Sequence, residues 1–150
     1  MAERTFAMVK PDGVQRGLVG EIVRRYEARG LKVVALKLMG VPRTMAEEHY
    51  AEHRGKPFYN GLVDYITSGP VVALCLEGKN AVAVVRSVNG ATKPWEATPG
   101  TIRGDLALDI GRNVVHGSDS VDSAKRELGI YFSKDDFVEW TPAAAKWVTE

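Results

Sequence analysis

Four short apolar runs separated by segments of helical period predict an α+β fold. The expected architecture is a ferredoxin-like split β-α-β layout, with one four-stranded antiparallel sheet and helices packed on it. Two observations support this. The order of the signals is β-α-β-α-α-β-α-β-α, which places the strands in one sheet with the helices on one face. No repeat, linker or low-complexity tract interrupts the 150 residues, which is the length of one ordinary domain, 1–150.

Residues 4–9 read as a strand ended by the Pro11-Asp12-Gly13 turn. Val19, Ile22, Val23 and Tyr26 then mark one face of a helix, stopped at Gly30. Residues 31–39 alternate as a strand, with Val34, Leu36 and Leu38 on one face. Pro42 ends it, and Thr44 with Glu47 forms a capping box for a helix through about His53. Tyr59, Leu62, Val63 and Ile66 give a further helical face, closed by Ser68-Gly69-Pro70. Val71–Leu76 is an uninterrupted apolar run, the pattern of a buried strand. Residues 79–88 form a helix with Ala81, Val82, Val85 and Val88 inward. The stretch 89–112 has no sustained period and reads as a long structureless loop, a feature that usually serves function. Asn113–His116 is the last strand, Gly117–Ser120 caps a helix through about Leu128, and Thr141-Pro142 signals another helix start in the tail.

The formal net charge is +1, too balanced to mark nucleic acid or an anionic membrane as the main partner. The single cysteine, Cys75, lies in the apolar run and excludes a disulfide within the chain. It reads as a small buried hydrophobe, since no neighbour in sequence would activate it. Met1-Ala-Glu-Arg-Thr has no signal-peptide layout, and the apolar runs are too short to span a bilayer. These features predict a cytoplasmic protein.

The common nucleotide fingerprints are missing: Gly55-Lys56 runs into Pro57 and Gly78-Lys79 into Asn80, so no P-loop forms, and no G-x-G-x-x-G occurs. Of the three histidines, His49 and His53 stand four apart on an expected helix, a metal-ligand spacing that an amphipathic surface helix explains better, since no third ligand lies nearby in sequence. His116 ends a short strand and precedes a helix N-terminus, whose free N–H groups favour an anion. A neutral imidazole is a good nucleophile near pH 7, although the local pattern also suits a structural histidine. Lys10 at the end of the first strand, Arg86 a turn before the end of its helix, and Arg103 in the long loop are candidates to neutralise phosphate.

Asn113–Val121 resembles the active-site signature of the nucleoside diphosphate kinases, with His116 in the phosphorylated position. Thr5–Gly17, Ser68–Val72 and Pro99–Asp105 resemble the same family, so the likeness spans nearly the whole chain. The resemblance implies Mg²⁺-dependent, reversible transfer of a terminal phosphoryl group from a nucleoside triphosphate to a nucleoside diphosphate, by a ping-pong route through phosphohistidine. It further implies His116 as nucleophile, supported by Ser118 and Glu127. Lys10, Arg86, Thr92 and Arg103 match the phosphate-holding positions, Tyr50 a hydroxyl near the transferring group, and Asn113 the sugar contact. Phe58 matches the plate against the base, with Leu62 and Ile110 as apolar lining. Stacking alone reads a base by its π-face, so low base specificity is expected. Magnesium is expected on the nucleotide's phosphates, with no protein ligand set. The tail resembles the longer members of the family, which implies a homohexamer, tetramers being the other assembly. Neither a membrane nor an obligatory nucleic-acid partner is expected. A non-catalytic nucleotide- or nucleic-acid-binding regulator on the same fold is the alternative.

Overall fold

The computed structural model of the chain describes residues 2–150. Its sheet has the order β2-β3-β1-β4, with β1 (Glu3–Val9) and β3 (Val71–Gly78) central and β2 (Lys32–Met39) and β4 (Val115–Gly117) at the edges. Every pairing is antiparallel. The α+β expectation holds, and so does the split β-α-β order of strands.

The helices cover both faces of the sheet, not the single face expected. Phe6, Met8, Ala73 and Cys75 meet α3 (Arg43–His49), α4 (Tyr59–Ile66) and α7 (Val121–Tyr131) through Ala46, Val63, Ile66, Leu128 and Tyr131. The alternate residues Ala7, Val9, Val72, Leu74 and Leu76 meet α2 (Val19–Ala28), α5 (Ala81–Asn89) and α6 (Ile102–Leu106) through Ile22, Tyr26, Ala81, Val85 and Ile102. Successive strand residues point to opposite faces, so a strand apolar at every position must be covered twice. Phe6–Val9 and Val71–Leu76 are such runs, and all of them are buried. Cys75 lies among them, and burial pushes its thiol up to about 12.

β2 departs from its expected pattern. A register shift between Val33 and Ala35 breaks the alternation, so Val34 is buried while Leu36 and Leu38 are exposed. The capping box at Thr44 does not form, because Pro42, with φ of −63°, sets the helix entry and α3 begins at Arg43. That helix stops at His49, and a separate 3₁₀ turn follows at Ala51–His53. Pro11 opens a short helix, α1 (Pro11–Gln15), where a turn was expected.

The long loop contains structure that its composition concealed. A 3₁₀ turn spans Pro94–Glu96, and α6 is capped by the Thr101 hydroxyl, which accepts from the Gly104 N–H at 3.0 Å. Gly104 is required there, since a Cβ at that position would stand 2.1 Å from the Thr98 carbonyl oxygen. The helix expected after Pro142 is only a 3₁₀ turn at Ala145–Trp147. No helix among the described residues is long and apolar enough to cross a membrane.

Candidate active site

The end of β1, the start of β4, the C-terminal half of α5, α6 and the buried face of α7 converge on one cavity of about 250 Å³. Lys10, Tyr50, Leu62, Arg86, Thr92, Arg103, Asn113, His116 and Glu127 all line it. Each comes from a different local structure, and the sheet brings them together: β4 pairs with β1 so that His116 lies opposite Met8, two residues from Lys10.

Just before β4 the backbone is strained. Val114 has a φ of 75°, a left-handed conformation costly for a β-branched residue. Its N–H donates to Asp12 Oδ2 at 3.1 Å and its carbonyl accepts from the Lys10 N–H at 2.8 Å, which hold the bend in place. After His116, Gly117 permits close packing, because a Cβ there would lie 2.8 Å from Asn89 Nδ2 and 3.1 Å from Val85 Cγ1. The glycine therefore brings α5, and with it Arg86, down onto β4. Arg86 Nη1 donates to the Gly117 carbonyl at 3.2 Å.

The His116 ring is fixed from one side. Its Nε2 lies 2.7 Å from Glu127 Oε1, and Ser118 Oγ donates to the same oxygen at 2.6 Å. Ser118 is wholly buried, so it belongs to the support of Glu127 rather than to the cavity wall. An ionised carboxylate only accepts, so the His116 proton sits on Nε2 and the Nδ1 lone pair is left free. Burial works to raise the Glu127 carboxyl, but the bonds from His116 and Ser118 win and bring it down to about 2. The ring itself is 24% exposed, which leaves it open to a ligand.

Lys10, Arg86 and Arg103 form no ion pair with a carboxylate of the site. Arg103 is buried and donates to the carbonyls of Asn113 at 3.2 Å, Gly90 at 2.8 Å and Val115 at 2.7 Å. These bonds tie α6 and the long loop to β4 and use three of the five guanidinium N–H groups. Burial lowers Arg103 to about 10. Lys10 Nζ donates to Asn113 Oδ1 at 2.8 Å, and Asn113 Nδ2 donates to the Thr92 carbonyl at 3.1 Å. Burial, reinforced by the neighbouring Arg103 charge, lowers Lys10 to about 8. Burial raises the Tyr50 hydroxyl to about 12, so it remains an O–H donor at neutral pH.

Besides Ser118, two expected residues lie outside the lining. Phe58, at the start of α4, is half-exposed and reaches the cavity through His53, whose ring centroid is 5.3 Å away. Ile110 is also half-exposed, in the turn bridged by Asp109 and Arg112. Conversely, His49, Glu52, His53, Asp119, Ser123 and Arg126 line the cavity without having been singled out for it. His49 and Arg126 are sequence neighbours of Tyr50 and Glu127, and that adjacency was the available signal.

The helix break after His49 separates it from His53, so the two do not form one metal-binding face. Among the described residues, His49, His116 and Glu127 offer ligand atoms within 4.8 Å of one another. However, the His116–Glu127 separation of 2.7 Å is that of a hydrogen bond. Two ligands of a tetrahedral zinc stand about 3.3 Å apart, given bonds of about 2.0–2.1 Å. The group is therefore a proton-linked network and not a formed metal cage. A larger groove of about 410 Å³ beneath the C-terminal segment is lined by none of the expected site residues.

A family profile described as nucleoside diphosphate kinase matches residues 3–137. The chain is 64% identical over 148 residues to a protein named nucleoside diphosphate kinase from Archaeoglobus fulgidus, covering 99% of this chain and 98% of that one. It is 62% identical over 148 residues to one of the same name from Heliobacterium modesticaldum, covering 99% of each. Among solved structures it is similar to a halophilic nucleoside diphosphate kinase from Halobacterium salinarum in complex with CDP, with a TM-score of 0.97, 53% identity and full coverage of both chains. A nucleoside diphosphate kinase family protein from Babesia bovis gives a TM-score of 0.96 at 43% identity, over 98% of this chain and 99% of that one.

Proposed function

The chain belongs to the nucleoside diphosphate kinase family, and from that premise we propose that His116 is the group that carries the phosphoryl between nucleotides. The activity is that of an enzyme, transferring the terminal phosphoryl group of a nucleoside triphosphate to a nucleoside diphosphate. The observation that carries the assignment is the asymmetric ring: Nε2 is committed to Glu127, while Nδ1 is free beside a cavity lined by Lys10, Arg86 and Arg103.

In the first half-reaction the Nδ1 lone pair attacks the terminal phosphorus. The bond from that phosphorus to its bridging oxygen breaks, and the electron pair leaves with the nucleoside diphosphate. The ring gains positive charge, which Glu127 faces at 2.7 Å, and its Nε2 proton stays in place. The second half-reaction reverses these steps onto another diphosphate. Splitting one transfer into two in-line steps at one site is the gain from a covalent intermediate.

Lys10, Arg86, Thr92 and Arg103 hold the phosphates, and Tyr50 donates near the transferring group. Asn113 contacts the sugar. Phe58 at the rim stacks on the base, with Leu62 and Ile110 beside it, and this arrangement supports low base specificity because none of the three offers a polar group to a base edge. The CDP bound to the halobacterial relative is consistent with a nucleotide at this position.

Magnesium fits as a passenger on the nucleotide. The cavity carries four cations, Lys10, Arg86, Arg103 and Arg126, and of its carboxylates Glu127 is already committed to His116 and Ser118. Glu52 and Asp119 lie at the exposed rim. When bound, the ion neutralises charge on the phosphates. The single buried cysteine supports a cytoplasmic setting. Residues 1–150 are read as one catalytic domain, and the assembly as a homohexamer, which light scattering tests directly.

Incubation with γ-labelled ATP and Mg²⁺ is expected to leave an acid-labile, base-stable phosphate on the protein. The His116→Asn variant is expected to take up no label and to turn over no substrate. Label and turnover persisting in that variant would remove His116 from the mechanism.

A further inference from the structure

Glu127 has two oxygens, and the mechanism uses only one. Oε1 accepts from His116 and Ser118. Oε2 is approached by His49 Nε2 at 3.8 Å and Arg126 Nη2 at 3.7 Å, both beyond hydrogen-bond length. Arg126 is half-exposed and occupied elsewhere, donating to the carbonyls of Glu48 and His49 at 3.2 Å each. His49 is buried, its ring packed edge-on to His116 with centroids 5.0 Å apart, and Tyr50 stacks on its other side at 4.6 Å.

The proton on His49 can be located from its neighbours. Nδ1 lies 2.7 Å from the hydroxyl of Tyr131, a buried residue whose O–H has no other hydrogen-bond partner among the described residues. Burial, with Tyr50 and Glu127 close by, raises the Tyr131 hydroxyl above its ordinary value, so it keeps its proton. A buried O–H left undonated is costly, so Tyr131 donates to His49 Nδ1. Nδ1 is then the acceptor and the ring proton is on Nε2, the atom that faces Glu127 Oε2. Burial and the nearby His116 hold His49 down to about 3, so the ring is neutral at working pH and carries only that one N–H.

We propose that His49 is a positioning residue for phosphoryl transfer: its Nε2–H, directed there by the Tyr131 hydroxyl, holds the second oxygen of Glu127 and thereby keeps the first on His116. The chain of groups runs Tyr131 O–H, His49 Nδ1, His49 Nε2–H, Glu127, His116 Nε2–H. At 3.8 Å the contact is longer than a hydrogen bond, and holding Oε2 requires it to shorten by under an ångström in the nucleotide complex, as catalytic hydrogen bonds commonly do. Because His49 is neutral, it steadies the carboxylate without competing for its charge. No proton is transferred along the chain, whose effect is to fix the His116 tautomer with Nδ1 free.

This inference rests on His116 being the phosphorylated residue, so the test reads site of labelling and rate separately. His49→Phe keeps a ring without an N–H, His49→Gln keeps an N–H donor, and Tyr131→Phe removes only the hydroxyl. Single-turnover phosphorylation by ATP is expected to slow about fivefold to tenfold in His49→Phe, less than the full worth of a hydrogen bond onto a carboxylate because His49 acts through Glu127, with KM little changed. His49→Gln recovers part of that loss. Tyr131→Phe, which leaves the fold's packing intact, gives a smaller loss of the same kind. In ¹⁵N NMR the His116 ring is expected to be the Nε2–H tautomer in the wild type and a mixture in His49→Phe and Tyr131→Phe. Label on His116 at the wild-type rate in Tyr131→Phe, with its tautomer unchanged, overturns the proposal whether or not the His49 variants fold. A loss seen only in KM overturns it as well. Label on a residue other than His116 in the wild type sinks the nucleophile assignment instead.

Discussion

Replacing Glu127 by Gln isolates the electrostatic part of the site. The amide has nearly the shape of the carboxylate and can still accept from His116 and Ser118, but it has no charge. In the resting protein both bonds onto Oε1, at 2.7 and 2.6 Å, are charge-assisted. Such bonds contribute about 1.5–3 kcal/mol against about 0.5–1.5 for neutral ones, a difference of roughly 1–1.5 kcal/mol each. The Ser118 bond is the same before and during transfer, so its loss alters stability and not the rate. The His116 bond strengthens as the ring becomes charged. A unit charge pair at that distance gains at most about 6 kcal/mol at an effective dielectric of 20. The loss of transition-state stabilisation therefore falls between these bounds, at about 2–4 kcal/mol, or roughly 30- to 900-fold in rate. Rapid-quench single-turnover phosphorylation with labelled ATP measures it. The fall is expected in the maximal rate, with nucleotide affinity held within about twofold, because the carboxylate meets the ring and not the nucleotide. A rate within threefold of wild type, with label still on His116, would refute the view that Glu127 balances charge on the ring.

Lys10 sets a pH dependence, because burial and Arg103 lower it to about 8 from 10.5. Affinity for a nucleoside diphosphate, followed by calorimetry, is expected to fall as pH rises through about 8 and the ammonium loses its proton. The unliganded protein responds in the opposite sense: between about 8 and 10.5 the unfolded chain binds the proton more tightly, so stability rises with pH across that window. Phe58→Ala is expected to raise KM about fivefold or more, by a similar factor for all four ribonucleoside triphosphates, since stacking is worth about 1–3 kcal/mol and is indifferent to base identity. A strong bias in that series would contradict the assigned role. Gly104→Ala drives a Cβ to 2.1 Å from the Thr98 carbonyl oxygen and is expected to cost about 1–3 kcal/mol. Thermal melting should fall by several degrees, and activity should fall with it because Arg103 is the adjacent residue.

The strands were legible because period and composition agreed. The contiguous runs at Phe6–Val9 and Val71–Leu76 are apolar at every position, which only a doubly covered strand requires. That same feature contradicts a sheet with helices on one face, so the second layer was implicit in the sequence. α6 was not legible, since Ile-Arg-Gly-Asp-Leu is a single turn with a central glycine and its stability comes from Thr101, Thr98 and the Arg103 bonds to distant carbonyls. The break after His49 was hidden because the pattern of α3 runs on into the 3₁₀ turn. For the site, the signature around His116 pointed to a strand end that the structure sets beside the cavity, yet local residues alone left it balanced against a structural histidine. The convergence of Lys10, Arg86 and Arg103 depends on the β1–β4 register and on Gly117 admitting α5, neither of which spacing along the chain reveals.

The cost of assembling this site falls on the empty protein, and that locates the source of its affinity. Arg103 is buried and Lys10 is partly buried near it, with carbonyl and amide oxygens as partners but no carboxylate, and both are pushed toward losing their protons. Desolvation is thus already incurred before any ligand arrives. A polyphosphate entering the cavity supplies the missing negative charge to groups that need no further reorganisation, which is the condition under which electrostatic stabilisation is strongest. The carboxylate nearest the His116 ring, Glu127, is withheld from these cations because His116 and Ser118 occupy its facing oxygen. Had Glu127 paired with Lys10 or Arg103, the cavity would be neutral and the ring unsupported. The separation of one buried acid behind the ring from Lys10, Arg86 and Arg103 in the cavity is therefore what gives His116 a charged partner on one side and an electropositive cavity on the other.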